Sequence, residues 1–269
     1  MTMTTTLPRL ATMPASSQPR DQLLRLYLTE MRLFLRDAQV VLFVFGFPAI
    51  TVLVLGGVFG TDSDDSAFEF VNPSHYYVAA YFGVMLCAIG VIMLPSHVAS
   101  YRKAGVLRRF DTSGFPSWLF PAAQFLCGLT FAVLGSISLV ATALASYGIP
   151  EMQDVPRTLL GLVVGALAFI SLGVALGSLL PNGRAASGVG MSLFFPMFLL
   201  AGGGPPPEVL PSTMSSIANL MPLTHVIRAS QEPWLGIGSG ANHVVICVGI
   251  FVASTAIWVL RSAAVSRRS

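Results

Sequence analysis

The sequence contains little charge, and this scarcity excludes soluble classes of protein. Only 10% of the 269 residues are charged, 54% are hydrophobic and the mean hydropathy is +0.74. A water-soluble fold of this size has no interior large enough to bury that much apolar surface. The Lys and Arg residues lie at the ends of apolar runs and the net charge is only +3, so no nucleic-acid partner is expected. The partner that the composition favours is membrane lipid.

The chain also lacks nucleotide-binding motifs. Its one lysine, Lys103, does not follow the glycine pattern of a P-loop, so this chain is not expected to hydrolyse ATP by itself. Gly236, Gly238 and Ala241 satisfy G-x-G-x-x-[G/A], but no strand precedes them and no acidic residue follows Glu232. We interpret that match as a loop before the last apolar run.

Metal and disulfide patterns are equally absent from the sequence. Cys87, Cys127 and Cys247 lie inside apolar runs without C-x-x-C spacing, which indicates helix packing and not a disulfide framework or a zinc site. The four histidines are too far apart in sequence to form a local metal motif, and they are expected at interfaces or helix caps. No bound cofactor or metal is predicted for this chain.

Six apolar segments are long enough, or nearly long enough, to cross a bilayer. They cover residues 40–59, 76–94, 119–147, 159–180, 188–200 with flanking residues, and 243–260. None carries Asp, Glu, Lys or Arg in its interior, which disfavours an ion-coupled carrier because coupling needs a group that changes charge. We predict an all-α integral membrane fold with six transmembrane helices.

The distribution of basic residues predicts the orientation. With both termini in the cytoplasm, thirteen of the 15 Lys and Arg residues lie inside and two, Arg157 and Arg228, lie outside. The first outer loop is acidic, with Asp62, Asp64 and Asp65. The sequence therefore predicts a multi-pass protein of the bacterial plasma membrane with both ends cytoplasmic.

The remaining segments divide the chain into four parts. Residues 1–19 predict a disordered cytoplasmic tail, 20–38 an amphipathic interfacial helix, 39–260 the six-span domain and 261–269 a cytoplasmic tail. Along the interfacial helix one face carries Leu23, Tyr27, Met31 and Leu35, and the opposite face is basic.

The segment between the fifth and sixth spans is too polar to belong to either. It contains an apolar stretch at residues 217–227 that Pro222 interrupts. We predict one or two short re-entrant helices in the outer leaflet, with an ordinary extracellular loop as the alternative. On the fourth span, Gly161 with Gly165 and Gly173 with Gly177 allow close helix approach, either in a dimer or within one subunit.

Two stretches carry a resemblance to a known family. The first runs through Tyr101, Arg102, Lys103, Ala104, Gly105, Val106, Leu107, Arg108, Arg109 and Phe110, followed by Thr112, Gly114 and Pro116. The second comprises Met221, Pro222, Leu223, Thr224 and His225, leading to Trp234, Leu235 and Gly236. With the six-span layout they resemble the membrane subunits of type-2 ABC exporters (ABC-2 permeases), particularly actinobacterial drug-resistance permeases such as the daunorubicin exporters. The similarity covers residues 21–260.

The resemblance implies alternating access driven by separate ATPase subunits, which bind ATP and Mg²⁺. The stretch from Tyr101 to Phe110 corresponds to the coupling helix that docks on the ATPase, although basic inner loops also serve topology alone. A second permease copy or a sister permease completes the assembly that the resemblance implies.

In such exporters the substrate pathway lies between the second and fifth spans of two permeases. On this sequence those spans present an aromatic and Met-rich surface suited to hydrophobic small molecules, or else facing lipid and neighbouring helices: Tyr77, Tyr81, Met85, Met191, Phe194, Phe195 and Phe198. The function expected is export of a hydrophobic drug, antibiotic or natural product. Export of a lipid or lipid-linked glycan, and an ATP-independent carrier, channel or membrane enzyme, are the alternatives.

Overall fold

The computed structural model describes residues 19–59, 73–103, 116, 118–148, 151–206 and 210–266. All regular secondary structure within these ranges is helical. In chain order the helices are α1 (Pro19–Arg36), α2 (Ala38–Val41, Leu42–Gly46 and Phe47–Phe59 in succession), α3 (Pro73–Cys87, Ala88–Met93 and Leu94–Lys103 in succession), α4 (Leu119–Tyr147), α5 (Val155–Leu179), α6 (Gly183–Leu200), α7 (Ser212–Ala218), α8 (Pro222–Leu235) and α9 (Ala241–Ser266).

Six of these helices are long and apolar enough to cross a membrane, namely α2, α3, α4, α5, α6 and α9. The predicted all-α fold with six spans is confirmed. Several helix ends differ from the predicted bounds by a few residues, and two of them are the end of α3, which continues to Lys103, and the start of α6, which is already at Gly183. Both extensions are polar, and hydropathy detects only the apolar part of a helix that continues into the interface.

Helix α3 is the centre of the bundle. Every residue in its most apolar 18-residue window is buried within the protomer, whereas only 11% of the corresponding window of α9 is buried. Helices α2, α4, α5, α6 and α8 all pack against α3. The surrounding spans therefore expose apolar side chains outward, as lipid contact requires.

Two spans contain a wider, π-helical turn, and each turn precedes a proline. The turns are Leu42–Gly46 in α2 and Ala88–Met93 in α3, and they are followed by Pro48 and Pro95. A helical proline has no N–H and its ring clashes with the carbonyl four residues earlier, which here is Val44 or Val91 inside the wide turn. The π-helical turn accommodates this clash while the span continues.

Helix α1 packs against α4, and the predicted face contributes Tyr27 and Met31 to this packing while Leu35 lies outside it. Its fully buried residues are Glu30 and Phe34, whereas Leu35 is 52% exposed. The Tyr27 hydroxyl lies 2.8 Å from the Thr130 hydroxyl of α4. The apolar pattern extended the face to Leu35 and gave no weight to the buried carboxyl group of Glu30. The position of α1 in the membrane interface stays a prediction.

The glycine pairs of α5 pack inside the protomer. A Cβ atom at Gly161 would lie 2.1 Å from the Ala229 carbonyl oxygen of α8, and one at Gly173 would lie 2.6 Å from the Gly90 carbonyl oxygen of α3. Gly165 and Gly177 have similarly close neighbours on α8 and α3. Of the two roles considered for these small residues, close approach within one subunit is the observed one.

Candidate coupling and translocation sites

The predicted coupling segment begins in the last turn of α3, where its described residues contact two other helices. The Tyr101 ring lies 5.1 Å from the Phe120 ring of α4. The Arg102 guanidinium donates a hydrogen bond to the Ser178 carbonyl of α5, and Lys103 is exposed. The other predicted residues lie outside the described part of the chain: Gly105, Val106, Leu107, Arg108, Arg109 and Phe110. The helix that leads into this segment is therefore fixed to both α4 and α5.

A cleft next to the end of α3 brings two basic residues together. Its lining residues come from the ends of α3 and α6: Ser100, Lys103, Asn182, Gly183 and Arg184. The Asn182 side chain caps α6 by accepting a hydrogen bond from the Ala185 N–H at 2.9 Å. This end of the molecule is positively charged, as the predicted cytoplasmic orientation requires.

The three predicted pathway residues of α3 lie inside the protomer. Tyr77, Tyr81 and Met85 are at most 1% exposed. The Tyr81 hydroxyl donates a hydrogen bond of 2.7 Å to the Gly203 carbonyl, just beyond the end of α6. In this conformation the surrounding helices enclose these side chains.

The predicted pathway residues of α6 form part of an aromatic cluster with α2 and α3. Phe194 is fully buried, and its ring stacks on that of Phe198 at 6.0 Å. The ring of Phe47 lies 5.1 Å from that of Phe198, and the Tyr81 ring lies 6.2 Å from it. Sequence periodicity placed Phe194 and Phe198 on one face of α6 and Tyr81 on one face of α3, and the structure brings these side chains together within one protomer.

Two predicted pathway residues of α6 are more accessible. Phe195 is 46% exposed and Met191 is half-buried. Met191 still packs against the buried core, and the Phe195 ring lies 5.6 Å from that of Phe194. Their contact with a transported molecule, and that of the buried residues, stays a prediction.

The predicted outer segment forms two short helices, α7 and α8, joined by a tight turn. Pro222 occupies the first turn of α8, where its missing N–H costs no helical hydrogen bond. Leu223 is fully buried, and the Thr224 hydroxyl donates to the Ala218 carbonyl at 2.5 Å. Insertion of these helices into the outer leaflet stays a prediction.

A series of polar side-chain contacts, which the sequence spacing did not reveal, joins helices α8 and α9. The Nδ1 atoms of His225 and His243 lie 2.9 Å apart, and His243 Nε2 lies 3.2 Å from Glu232 Oε1. The other Glu232 oxygen accepts the Gly240 N–H at 3.0 Å. Left-handed backbone at Gly236 and Gly240 folds the chain back between the helices, which brings distant histidines together.

One arrangement of protons satisfies this chain of contacts. If Glu232 is ionised, His243 Nε2–H donates to it, and His243 Nδ1 then accepts from His225 Nδ1–H. Both imidazoles are neutral in this arrangement. Burial lowers the pKa of His225, and the neighbouring His243 and Arg228 lower it further against a smaller opposing effect of the Asn219 backbone.

We expect the fold to lose stability below about pH 6.5, the ordinary pKa of histidine, because the unfolded chain binds the proton that folded His225 resists. Stability is full above that pH and falls as the pH approaches the lowered folded pKa. Each ~1 kcal/mol lost reduces Tm by about 2–4 °C. Thermal unfolding of the purified protein between pH 7.5 and 5.5 measures the loss.

His225→Asn retains a donor near the position of Nδ1 but does not titrate, so its Tm should fall less with acid than that of the wild type. His75→Asn, at the start of α3, is the matched control and should follow the wild type. Equal acid sensitivity of the His225→Asn variant and the wild type would contradict the assignment.

Comparison with known proteins decides the family. The ABC-2 type transporter family matches residues 21–233 of the 269 residues. The chain belongs to this family. Proteins of the ABC-2 type are membrane subunits of ABC transporters, and the ATPase site lies outside such subunits. The chain is thus a multi-pass membrane protein and an ABC-2 permease.

Two curated relatives match part of the sequence of this ABC-2 permease. The inner membrane transport permease YhhJ of Escherichia coli K12 is 27% identical over 159 residues, which are 56% of this chain and 42% of the relative. The protein of the same name from Shigella flexneri matches to the same extent. The matched region thus spans about two fifths (42%) of the length of these relatives.

Sequence reasoning missed one polar contact next to the coupling segment of this ABC-2 permease. Glu30 of α1 is fully buried, and its Oε2 accepts a hydrogen bond of 2.8 Å from Gln124 Nε2 of α4. The Tyr101 hydroxyl is a second polar neighbour. The available signal was Gln124, a polar residue in an apolar span that needs a buried partner.

Proposed function

We propose that this ABC-2 permease exports a hydrophobic drug, antibiotic or natural product across the bacterial plasma membrane, driven by separate ATPase subunits. The family match over residues 21–233 carries the proposal. The sequence has no P-loop, so ATP and Mg²⁺ would be bound by the partner subunits. Both termini would lie in the cytoplasm, and a second copy or a sister permease would complete the pathway.

The aromatic cluster supports a hydrophobic cargo. Phe47, Phe194, Phe198 and Tyr81 form a continuous group of rings among α2, α3 and α6. Phe43 and Phe195 extend this group with two further rings. Such a surface, once α3 and α6 separate, would bind apolar and aromatic molecules by dispersion and ring contacts.

The contacts at the end of α3 support a route by which ATPase movement would reach the membrane spans. Tyr101 and Arg102 attach this helix end to α4 and α5, so a force applied to the following residues would reach three spans together. The basic side chains Lys103 and Arg184 are available at the same end for contact with an acidic surface of the ATPase.

Replacing residues 105–110 with a Gly/Ser linker of equal length tests this route. We expect the variant to insert and fold but to lose ATPase copurification, since losing contacts worth ~1.4 kcal/mol weakens an interaction about tenfold. Copurified ATPase is quantified by mass spectrometry, and ATP-dependent uptake of a fluorescent anthracycline is measured in inside-out vesicles. An equal linker at residues 3–8 is the control and should retain both.

Three outcomes distinguish the candidate functions. ATP-dependent uptake of the anthracycline supports drug export. ATP-dependent flipping of a labelled lipid or lipid-linked glycan, without anthracycline uptake, would replace the proposed cargo with a lipid. Transport by the purified chain in liposomes with no ATPase present would refute ATP-driven export.

A further inference from the structure

Glu30 is an acidic residue in a fully enclosed position. It lies on the face of α1 that packs against α4, and its side chain is 0% exposed. Ionised carboxyl groups are rarely buried to this extent without a cation, because removing the charge from water is unfavourable. The neighbours of Glu30 therefore indicate which form of the group is present.

No cation neutralises Glu30 within the described ranges. The Lys, Arg and His side chains there form no ion pair with it. On α1 itself Arg25 and Arg32 are exposed, and beyond it His97 of α3 pairs with Asp37. The titratable groups that face Glu30 are the Tyr101 phenol of α3 and the Cys127 thiol of α4, both neutral when protonated.

Two buried oxygen atoms at this contact have no donor. Gln124 Nε2–H donates to Glu30 Oε2 at 2.8 Å, but Glu30 Oε1 and Gln124 Oε1 are both buried and have no hydrogen-bond partner in the described part of the structure. A carboxylate and an amide carbonyl only accept hydrogen bonds, so an ionised Glu30 leaves both oxygen atoms unsatisfied.

A single proton satisfies this contact. A neutral carboxylic acid has an O–H to donate and still accepts the amide N–H with its other oxygen, so it can pair with a primary amide through both groups. Exchanging the amide oxygen and nitrogen of Gln124 leads to the same conclusion. The amide oxygen would then lie 2.8 Å from Glu30 Oε2, and that contact also requires a proton between two acceptors.

We propose that Glu30 is a proton-binding site that joins the interfacial helix α1 to α4 and to the end of α3. Burial raises the pKa of the Glu30 carboxyl, and the neighbouring Tyr101 hydroxyl and Gln124 amide only partly oppose this effect. If α1 moves away and exposes the carboxyl, its pKa returns to about 4.3 and the proton passes to water at neutral pH. Docking of α1 is thus linked to binding of one proton.

The position of this proton-binding site gives the linkage its importance. Tyr101, the second polar neighbour of Glu30, lies in the last turn of α3, two residues before Lys103. A change in the protonation of Glu30 therefore acts where α1, α3 and α4 meet. The protonation of this carboxyl group does not depend on the proposed transport function.

Substitution at Glu30 tests whether the carboxyl is neutral. A folded pKa above the unfolded value gives stability that is full below about pH 4.3 and is lost as the pH rises through the folded pKa. Glu30→Gln has the shape of the neutral acid and pairs twice with Gln124 at any pH. We expect its Tm at pH 7.5 to exceed that of the wild type by about 3 °C or more.

Two further variants serve as comparisons for Tm. Glu30→Leu leaves both polar groups of Gln124 unpaired and should lower Tm at every pH. Glu232→Gln, at the partly exposed carboxyl beside His243, is the matched control and should not raise Tm. If Glu30→Gln lowers Tm as much as Glu30→Leu does, the carboxyl is ionised and the proposal is wrong.

Infrared spectroscopy of the purified full-length protein gives a direct readout. At pH 7.5 we expect a C=O stretching band of a protonated carboxylic acid in the wild type. The band should be absent from Glu30→Gln and retained in Glu232→Gln. The lack of this band in the wild type, or its persistence in Glu30→Gln, would overturn the proposal whatever the Tm values.

Discussion

Leucine at Gly190 is expected to prevent the native packing of α6, while leucine at Gly188, two residues away, is expected to be tolerated. A Cβ atom at Gly190 would lie 2.1 Å from the Val91 carbonyl oxygen of α3, whereas one at Gly188 has no neighbour within 4 Å. The clash is with backbone, so only separation of the two helices relieves it. The cost is expected to exceed ~3 kcal/mol, the upper end for overpacked cores.

The yield of monodisperse protein in size-exclusion chromatography and its Tm measure this difference. Gly161→Leu should behave like Gly190→Leu, because its Cβ would meet the Ala229 carbonyl oxygen at 2.1 Å. Gly249→Leu, with open space around the position, is a second control. Similar Tm values for the Gly188 and Gly190 variants would contradict the packing of α6 on α3.

Truncation of Trp234 is expected to have the second large effect. The side chain is 1% exposed and its ring lies 5.5 Å from that of Phe82 in α3. The Trp234 carbonyl also accepts the Gln153 N–H at 3.0 Å, at the approach to α5. Replacing a buried Trp with Ala costs about 3–5 kcal/mol because a cavity remains. We therefore expect Trp234→Ala to detach α8 from α3.

Trp118→Ala provides the matched comparison. Trp118 is 50% exposed and lies directly before α4. Its truncation leaves no enclosed cavity, and we expect Tm to change by less than half as much. Thermal unfolding of both variants in the same detergent gives the comparison, and equal losses would be inconsistent with a special role of Trp234 as the anchor of α8.

The six spans were predictable from the sequence because each depends on one local property, a sufficiently long apolar run. The helix ends were not, since residues such as Ser96, Ser100 and Lys103 continue α3 with no apolar signal. The wide turns of α2 and α3 had a readable signal in Pro48 and Pro95, because each proline clashes with the preceding turn.

The polar contacts were less predictable because they join distant parts of the chain. His225 and His243 are separated by 18 residues, and only the fold of the intervening glycines brings them within 2.9 Å. Glu30 and Gln124 are 94 residues apart, and the apolar pattern of α1 pointed to Leu35 and not to a carboxyl as the packed side chain. Helical periodicity shows which residues of one helix share a face. It does not show which face of another helix packs against them.

The aromatic residues show an intermediate case. Regular spacing correctly placed Tyr77, Tyr81 and Met85 on one side of α3 and Phe194 with Phe198 on one side of α6. It gave no indication that the Tyr81 hydroxyl would reach the Gly203 carbonyl, because that bond depends on where α6 ends. Their role in transport depends on a conformational change and stays a prediction.

The enclosure of the most apolar part of α3 has a consequence for biogenesis. Helices leave the translocon in the order of synthesis, so α3 enters lipid before α4, α5, α6 and α8, which later surround it, have been made. During that interval every side of α3 must be compatible with acyl chains, which accounts for the mean hydropathy of 2.2 in a window whose residues are all buried within the finished protomer. A polar substitution on α3 would therefore impair insertion before any packing partner exists to accommodate it.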